Sequence, residues 1–299
     1  MVEKNPILIV VLGPTASGKS DLAMQLAHSK KISIHNADSR QVYKGMDIGT
    51  AKPSLEQLKK IEHHLIDIRD PDKPMNLHEF HKEAKKSLES KFSSVGMALL
   101  VGGSGLYIKA ITKGLKPPAV GPQNHLRNQL KTLGQYTCHE LLKKSDPIAA
   151  KKISKTDEVR TQRALEVLYA TGKPISMQRK FHPPSWKIIE LGLDPKDLSE
   201  RIKSRTIKMF SNGLIEETQK LIALYGQDLS LLQTIGYNEA LKVIKGEFNL
   251  EEAIQMATLR TQKFAKRQRT WFRKQHAPHW LNDQEPLREA LSLIETDLV

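Results

Sequence analysis

The stretch PILIVVLGPTASGKSDLAMQLA, residues 6–27, decides the fold. Residues 6–12 are apolar and rich in β-branched side chains, which is typical of a buried strand, and residues 21–27 have a helical pattern. Between them lies the pattern G-x-x-x-x-G-K-[ST], a loop whose backbone N–H groups converge on phosphate. This predicted phosphate loop consists of Gly13, Pro14, Thr15, Ala16, Ser17, Gly18, Lys19 and Ser20. It predicts a polyphosphate ligand without identifying it, with Lys19 as a positive charge and Ser20 as a Mg²⁺ ligand.

Strand and helix patterns alternate through residues 1–115. We predict further strands at residues 31–35, 64–68 and 97–101, a helix at residues 77–92, and another from Leu106. The alternation indicates an α/β fold, with a P-loop NTPase-like core whose mainly parallel sheet is flanked by helices. Ligands of such sheets bind at the carboxyl ends of the strands, where three turns fall, at residues 13–20, 38–41 and 102–105.

The pattern changes after Gly114, where Pro117-Pro118 and Gly121-Pro122 interrupt the chain. Helical patterns follow at residues 124–133, 139–143 and 159–170, and a strand pattern returns at residues 186–193. We therefore predict the first part of the core at residues 1–115 and a helical insertion domain at residues 116–186. Residues 187–299 would complete the core and add basic helices, the longest of them starting near Leu250.

The composition is that of a globular protein with a basic surplus. The formal net charge is +14, which favours an anionic macromolecular partner. The single cysteine, Cys138, excludes an internal disulfide and a cysteine-based zinc site, and we expect it to be buried. The sequence shows neither a signal peptide nor an apolar span long enough for a membrane helix, so we expect a cytoplasmic protein, and we expect a monomer.

Two turns near the phosphate loop carry residues that could do chemistry. Asp38 follows a strand, where a carboxylate can hold Mg²⁺ through water, act as a general base, or only cap a turn. Arg40 and Gln41 could bind a polar partner or be solvated. Ser104 lies in a second glycine turn, residues 102–105, and could donate to an anionic oxygen, although the turn could also be a tight connection only.

The segment RTQKFAKRQRTWFRK, residues 260–274, holds seven Lys or Arg residues and no acid. On a helix, Arg260, Phe264, Arg267 and Trp271 share a face, which suits RNA through phosphate contacts and base stacking. An amphipathic core helix with a solvated basic side would give the same pattern. The adjacent residues His63 and His64 point to opposite faces of a strand, so we expect structural or surface roles rather than a metal site.

Several ordered motifs together resemble the bacterial tRNA dimethylallyltransferases, and the match runs through most of the chain. The matching strings are GPTASGKS (13–20), ADSRQVYKGMDIGTAKP (37–53), HHLID (63–67), GGSGLY (102–107), RALEV (163–167), TGKPIS (171–176), NGLIEE (212–217), TIGYNEA (234–240) and AKRQRTWFR (265–273). The sequence departs from the family at Asn36, where Ser is common, at Ser104, where Thr is usual, and at residues 154–157.

The resemblance implies transfer of the dimethylallyl group from dimethylallyl diphosphate to N6 of the adenosine 3′-adjacent to the anticodon, tRNA position 37, in tRNAs reading codons that start with U. Diphosphate leaves, and the phosphate loop binds it with Mg²⁺. By the same resemblance Asp38 is the base, Ser104 stabilises the bridging oxygen, and Lys19 and Arg205 bind the diphosphate. The insertion corresponds to the arm that holds the anticodon stem.

The resemblance also assigns residues to tRNA binding. They are Asp38, Ser39, Arg40, Gln41, Ser104, Arg127, Gln162, Arg163, Ala164, Leu165, Glu166, Gln233, Thr234, Ile235, Gly236, Tyr237, Asn238, Lys266, Arg267, Gln268, Arg269, Thr270, Trp271, Phe272 and Arg273. From the residues alone, two alternatives stay open: an ATP-dependent small-molecule or nucleoside kinase, and a non-catalytic RNA-binding nucleotide switch. Within the family that the sequence resembles, a transferase acting on free adenine nucleotides is a third. The basic aromatic segment and the net charge favour an RNA substrate.

Overall fold

The structure, a computed structural model, describes residues 5–118, 120–178 and 180–297. It divides into two compact units, here called the core unit (Met1–Thr112 and Ser185–Val299) and the inserted unit (Lys113–Pro184). The strands are β1 (Ile7–Leu12), β2 (Ile34–Asn36), β3 (His63–His64), β4 (Met97–Gly102), β5 (Leu115–Lys116), β6 (Lys180–Phe181), β7 (Lys187–Gly192) and β8 (His279–Trp280). The helices are α1 (Lys19–Lys30), α2 (Leu55–Lys60), α3 (Leu77–Val95), α4 (Gly105–Thr112), α5 (Asn124–Leu133), α6 (Gln135–Ser145), α7 (Pro147–Lys152), α8 (Glu158–Thr171), α9 (Ile175–Gln178), α10 (Leu198–Ser211), α11 (Leu214–Tyr225), α12 (Tyr237–Ile244), α13 (Leu250–Gln275) and α14 (Pro286–Thr296).

The core unit is built on a parallel sheet with the strand order β3-β2-β4-β1-β7-β8. Strand β1 is central and entirely buried, since it pairs with β4 on one side and with β7 on the other. Its side chains alternate between two hydrophobic cores: Ile9 packs on the face covered by α1 and α14, and Val10 packs on the face covered by α3 and α4. A strand buried on both faces reads as a continuous apolar run, which is why residues 6–12 show no alternation.

The prediction of a strand at residues 64–68 is wrong. Only His63 and His64 pair in the sheet, and the next residues leave it because Leu65 and Asp67 have φ values of 65° and 54°. The strand predicted at residues 31–35 begins later, at Ile34, because Lys31 takes a left-handed conformation with φ 52° and ends helix α1. Backbone conformations of this kind interrupt a strand whatever the apolar pattern.

The inserted unit contains helices α5 to α9 and a short antiparallel pair, β5 with β6. Its core includes Leu130, Leu142 and Leu165 together with the buried Cys138, whose thiol contacts the Leu130 carbonyl oxygen at 3.1 Å. Burial raises the pKa of the Cys138 thiol, so the packing role predicted for it is confirmed. Within the described ranges, no helix combines the length and apolar character needed to cross a bilayer.

Candidate active site

The phosphate loop connects the end of β1 to the start of α1. Gly18 precedes α1 with φ 88°, a left-handed conformation that glycine adopts without strain. Gly13 has φ 154°, and a Cβ atom there would lie 2.3 Å from the Leu193 carbonyl oxygen. Both glycines are therefore required by the backbone. They direct the first N–H groups of α1, a partial positive charge, into the space above the loop.

Lys19 folds back over the loop from which it projects. Its Nζ donates to the Pro14 carbonyl oxygen at 2.5 Å and to Ser17 Oγ at 3.4 Å. Burial, and next the Arg205 guanidinium, lower the pKa of Lys19 to about 7, although Asp38 acts in the opposite direction. A cation held in this way gains charge stabilisation when an anionic oxygen replaces its loop contacts.

Asp38 and Ser104 lie together where β2 and β4 end. The Asp38 carboxylate accepts a hydrogen bond from the Arg40 N–H at 2.8 Å through Oδ1, so part of its role is that of a turn cap. Ser104 Oγ accepts from the Ser39 N–H at 2.9 Å, which leaves the hydroxyl proton of Ser104 free to be donated. The two turns approach closely because Gly102 has no Cβ; one would lie 2.2 Å from the Ala37 carbonyl oxygen.

Arg205 projects from α10 toward the same space. Its Nη2 lies 3.5 Å from the Thr50 carbonyl oxygen, and burial lowers its pKa while Asp38 partly offsets that effect. Lys19, Asp38 and Arg205 all line the same cavity, so these three charges share one site. Two cations and one carboxylate give the site a net positive charge, which favours an anionic ligand.

These groups line one cavity of about 980 Å³ in the core unit. The predicted site residues that it brings together are Thr15, Ala16, Ser17, Gly18, Lys19, Ser20, Asp38, Ser39, Arg40, Gln41, Ser104, Arg205, Gln233, Thr234, Ile235, Gly236 and Gln268. The prediction from sequence missed Gly49, Thr50, Ala51, Lys52, Arg201 and Lys208, which also line it. Residues 49–52 lie in one of the motifs that carry the resemblance, which was the available signal; the helical spacing of Arg201, Arg205 and Lys208 was the other.

The loop that contains residues 49–52 is held by hydrogen bonds to a buried carboxylate. Glu217 accepts hydrogen bonds from the backbone N–H groups of Asp47, Ile48 and Gly49, at 2.8 to 3.1 Å. It also accepts from the Tyr237 hydroxyl at 2.6 Å. Tyr237 is fully buried. Burial, and next the adjacent Glu217 carboxylate, raise the pKa of Tyr237, so its hydroxyl stays a donor. This arrangement positions the backbone carbonyl of Thr50 beside Arg205.

Comparison with known proteins identifies the family. The IPP transferase family model matches residues 41–275. The chain belongs to the IPP transferase family. Among relatives, a tRNA dimethylallyltransferase of Prochlorococcus marinus (strain MIT 9313) is 59% identical over 298 residues, covering 100% of both chains. One of Synechococcus sp. (strain CC9311) is 55% identical over 295 residues, covering 99% of this chain and 95% of the relative.

Solved structures of IPP transferases share the fold. A tRNA delta(2)-isopentenylpyrophosphate transferase from Staphylococcus epidermidis is 33% identical, with a TM-score of 0.71 and 98% of each chain covered. A eukaryotic dimethylallyltransferase acting on tRNA is 26% identical, with a TM-score of 0.82, covering 98% of this chain and 79% of that chain. The predicted α/β fold with a P-loop NTPase-like core, and the family resemblance, are confirmed.

The residues assigned to tRNA binding on α13 of this IPP transferase take different roles. Lys266, Arg267 and Thr270 are exposed. Arg269 and Arg273 are paired with the nearly buried Asp194, the second at 3.0 Å. The side chains of Phe272 and Gln268 are buried, at 0% and 8% exposure, and Trp271 packs partly against the same core as Phe272. The packing role considered for the aromatic residues therefore holds for Phe272, and the exposed basic side remains available to RNA.

The segment assigned to tRNA in the inserted unit is also largely buried. Ala164, Leu165 and Glu166 have relative exposures of 0 to 1%. The Glu166 carboxylate accepts from Arg127 at 2.7 and 2.9 Å and from Arg163 at 2.5 Å. These contacts give Ala164, Leu165 and Glu166 a packing role and leave only the outer parts of the two arginines, with the half-buried Gln162, on the surface.

His64, Gln233 and Tyr237 are held by contacts within the protein. His64 stacks on the buried His35, with ring centroids 4.6 Å apart, and the described residues contain no metal-binding group of His, Cys, Asp and Glu. The stacking on His35 gives His64 a structural role, one of the two roles expected for this pair of histidines. Gln233 is exposed and accepts from Asn238 at 2.9 Å, and Tyr237 is buried as described above.

Proposed function

We propose that this IPP transferase transfers the dimethylallyl group of dimethylallyl diphosphate to N6 of the adenosine 3′-adjacent to the anticodon of a tRNA. The observation that carries the proposal is the cavity in which a phosphate loop, a carboxylate and a hydroxyl meet. Full-length relatives named tRNA dimethylallyltransferase support the choice of substrates. In the reaction a C–N bond forms as a C–O bond breaks, diphosphate leaves, and the amine loses one proton.

The diphosphate binds to the phosphate loop and to the cations around it. A neutral exocyclic amine is a weak nucleophile, so the C–O bond breaks early and negative charge develops on the leaving diphosphate. Lys19, Arg205 and the N–H groups at the start of α1 stabilise that charge. Ser104 donates its free hydroxyl proton to the bridging oxygen, because Oγ already accepts from the Ser39 N–H.

Asp38 accepts the N6 proton as the new bond forms. Oδ1 is engaged by the Arg40 N–H, whereas Oδ2 has no hydrogen-bond partner within the described ranges and can act as the base. General bases contribute roughly 10²–10⁴-fold to such reactions. Asp38 lines the same cavity as Lys19 and Arg205, so the base lies in the same space as the cations that bind the diphosphate.

The residues present fit a Mg²⁺ ion bound with the diphosphate. The Ser20 hydroxyl is exposed in the cavity lining and would supply one oxygen ligand of the kind that Mg²⁺ prefers, with oxygens of the diphosphate as further ligands. Mg²⁺ held there supplies further neutralisation of the diphosphate charge.

The tRNA requires a basic, stacking surface beside the cavity. Phe264 is exposed and lines the cavity, and the Arg267 guanidinium lies 5.7 Å from its ring centroid. An aromatic ring covered by a cation is suited to stacking an unpaired base that has left the anticodon loop. The net charge of +14 supports binding to the phosphate backbone.

The deciding experiment incubates the protein with unmodified tRNA, Mg²⁺ and labelled dimethylallyl diphosphate, and locates the label by mass spectrometry of the anticodon loop. We expect one added dimethylallyl group on the adenosine next to the anticodon. Asp38→Asn should lower the rate by roughly 10²–10⁴-fold, with tRNA affinity unchanged, whereas Asp228→Asn, at an exposed site outside the cavity lining, should not. Label on a free nucleotide, or phosphate transfer from ATP, would overturn the proposal.

A further inference from the structure

The buried side-chain amide of Gln268 joins two of the loops that form the cavity. Its Oε1 accepts a hydrogen bond from the Thr15 N–H of the phosphate loop at 2.9 Å. Its Nε2 donates to the Gly103 carbonyl oxygen of the second glycine turn, also at 2.9 Å. Gln268 is only 8% exposed, although its neighbours Arg267 and Thr270 face solvent.

Glycines allow α13 to lie this close to the turn. A Cβ atom at Gly103 would lie 2.7 Å from Gln268 Nε2, and one at Gly105 would lie 2.1 Å from Trp271 Nε1. Gln268 and Trp271 are three residues apart and therefore lie on neighbouring positions of the same helix face. Two successive contacts of α13 thus depend on the absence of side chains in the turn.

We propose that Gln268 is a positioning residue, which sets the spacing between the phosphate loop and the turn that carries Ser104. The inference rests on the proposed function, because Lys19 and Ser104 act there on the same diphosphate. The amide carries its acceptor and its donor on two separate atoms at the end of one side chain, which matches the Thr15 N–H on one side and the Gly103 carbonyl oxygen on the other. The resemblance assigns Gln268 to tRNA binding, whereas its buried contacts assign it to the diphosphate side.

The prediction separates kcat and diphosphate affinity from tRNA affinity. Gln268→Met keeps the size of the side chain and removes both hydrogen bonds, while Gln268→Glu keeps the acceptor for Thr15 and loses the donor for Gly103. Misplacement of reacting groups by about 1 Å can cost roughly 100-fold in rate. We therefore expect kcat at saturating tRNA to fall by roughly 10- to 100-fold in both variants. Inorganic pyrophosphate should bind them more weakly, as measured by calorimetry. Their Kd for tRNA should stay unchanged.

Matched controls are Gln262→Met and Gln262→Glu, on the same helix, where the amide donates to the Ser199 hydroxyl outside the cavity lining. These variants should behave as the unaltered protein in all three measurements. Thermal melting of each variant reports whether the fold is kept, and if Gln268→Met does not fold, Gln268→Glu decides.

Two results would overturn the inference. In the first, the Gln268 variants bind tRNA more weakly but keep kcat and pyrophosphate affinity, which makes the residue an RNA contact. In the second, they match the Gln262 controls. Failure of the proposed function looks different, since the unaltered protein would then transfer no dimethylallyl group to tRNA, while pyrophosphate titration of the variants would still test the loop spacing.

Discussion

Replacing Glu166 by Gln tests whether the inserted unit is held together by a buried carboxylate. Glu166 has no exposed side-chain surface and receives hydrogen bonds from Arg127, Arg163 and the Gln123 N–H. Burial alone would raise the pKa of Glu166, but these bonds outweigh it and lower the pKa to about 2 from its ordinary 4.5. The two pKa values differ by about 2.5, and a difference of one in pKa corresponds to about 1.4 kcal/mol, so the ionised carboxylate contributes about 3.5 kcal/mol to the stability of the folded unit.

The sign and the pH window follow from the lowered pKa of Glu166. The unfolded chain binds the proton more tightly, so the stabilisation is complete above pH 4.5 and is lost as the pH falls toward about 2. Glu166→Gln should therefore accelerate amide hydrogen exchange in α5 and α8 by more than about 100-fold at pH 7, when opening of the unit limits exchange. At pH 3 the acceleration should shrink to about tenfold, since most of the contribution is already gone.

Hydrogen exchange by mass spectrometry on the full chain measures both values. The control is Glu140→Gln in α6, which removes an equal charge from an exposed pair with Lys143 and should change little at either pH. The reasoning is refuted if Glu166→Gln behaves like this control at pH 7. It is also refuted if the acceleration is the same at pH 7 and pH 3, because the stabilisation would then not come from the ionised carboxylate.

Three further substitutions test individual contacts of the core unit. Asp194→Asn removes the charge that pairs with Arg269 and Arg273 of α13, so tRNA should bind more tightly. The slope of log K against log salt concentration should steepen by about one, as measured by filter binding at several salt concentrations. Gly105→Ala places a methyl group against Trp271 and should lower stability by roughly 1–3 kcal/mol in urea titrations, whereas Gly121→Ala, with open space around it, should not. Tyr237→Phe removes the hydroxyl donor of a buried carboxylate and should cost about 1–3 kcal/mol in the same assay, with an unchanged urea midpoint as the contradicting result.

The sequence-based prediction was accurate where one local pattern determines the structure. The apolar run before Gly13 and the glycine–lysine pattern after it required a buried strand, a turn and a helix, and the structure has them with ends within three residues of those predicted. Helix α13 was recognised because its pattern continues over many turns. The prediction of a strand at residues 64–68 was wrong, because the chain leaves the sheet after His64 through left-handed φ values at Leu65 and Asp67, which the apolar pattern does not encode.

The candidate site was predictable to the extent that the turns share an edge of the sheet. Asp38, Ser104 and Lys19 could be placed together because parallel strands end at one edge. The loop at residues 49–52 could be associated with the site only through the motif in which it lies, since its position depends on Glu217, which follows it by more than 160 residues. Contacts that depend on a distant buried carboxylate leave no periodic trace in the sequence.

The two interpretations of residues 260–274 were posed as alternatives, and the helix satisfies both. A period of 3.6 residues puts Gln268 and Phe272 on one side of α13, four residues apart, and Lys266, Arg267 and Thr270 on the sides that face solvent. The buried side contacts the two turns that we propose bind diphosphate, and the exposed side carries the charges that we propose contact RNA. Under that proposal, a single helix fixes the position of one substrate relative to the other. A helix that holds two substrates in this way should combine a basic exposed side with a buried amide on the opposite side.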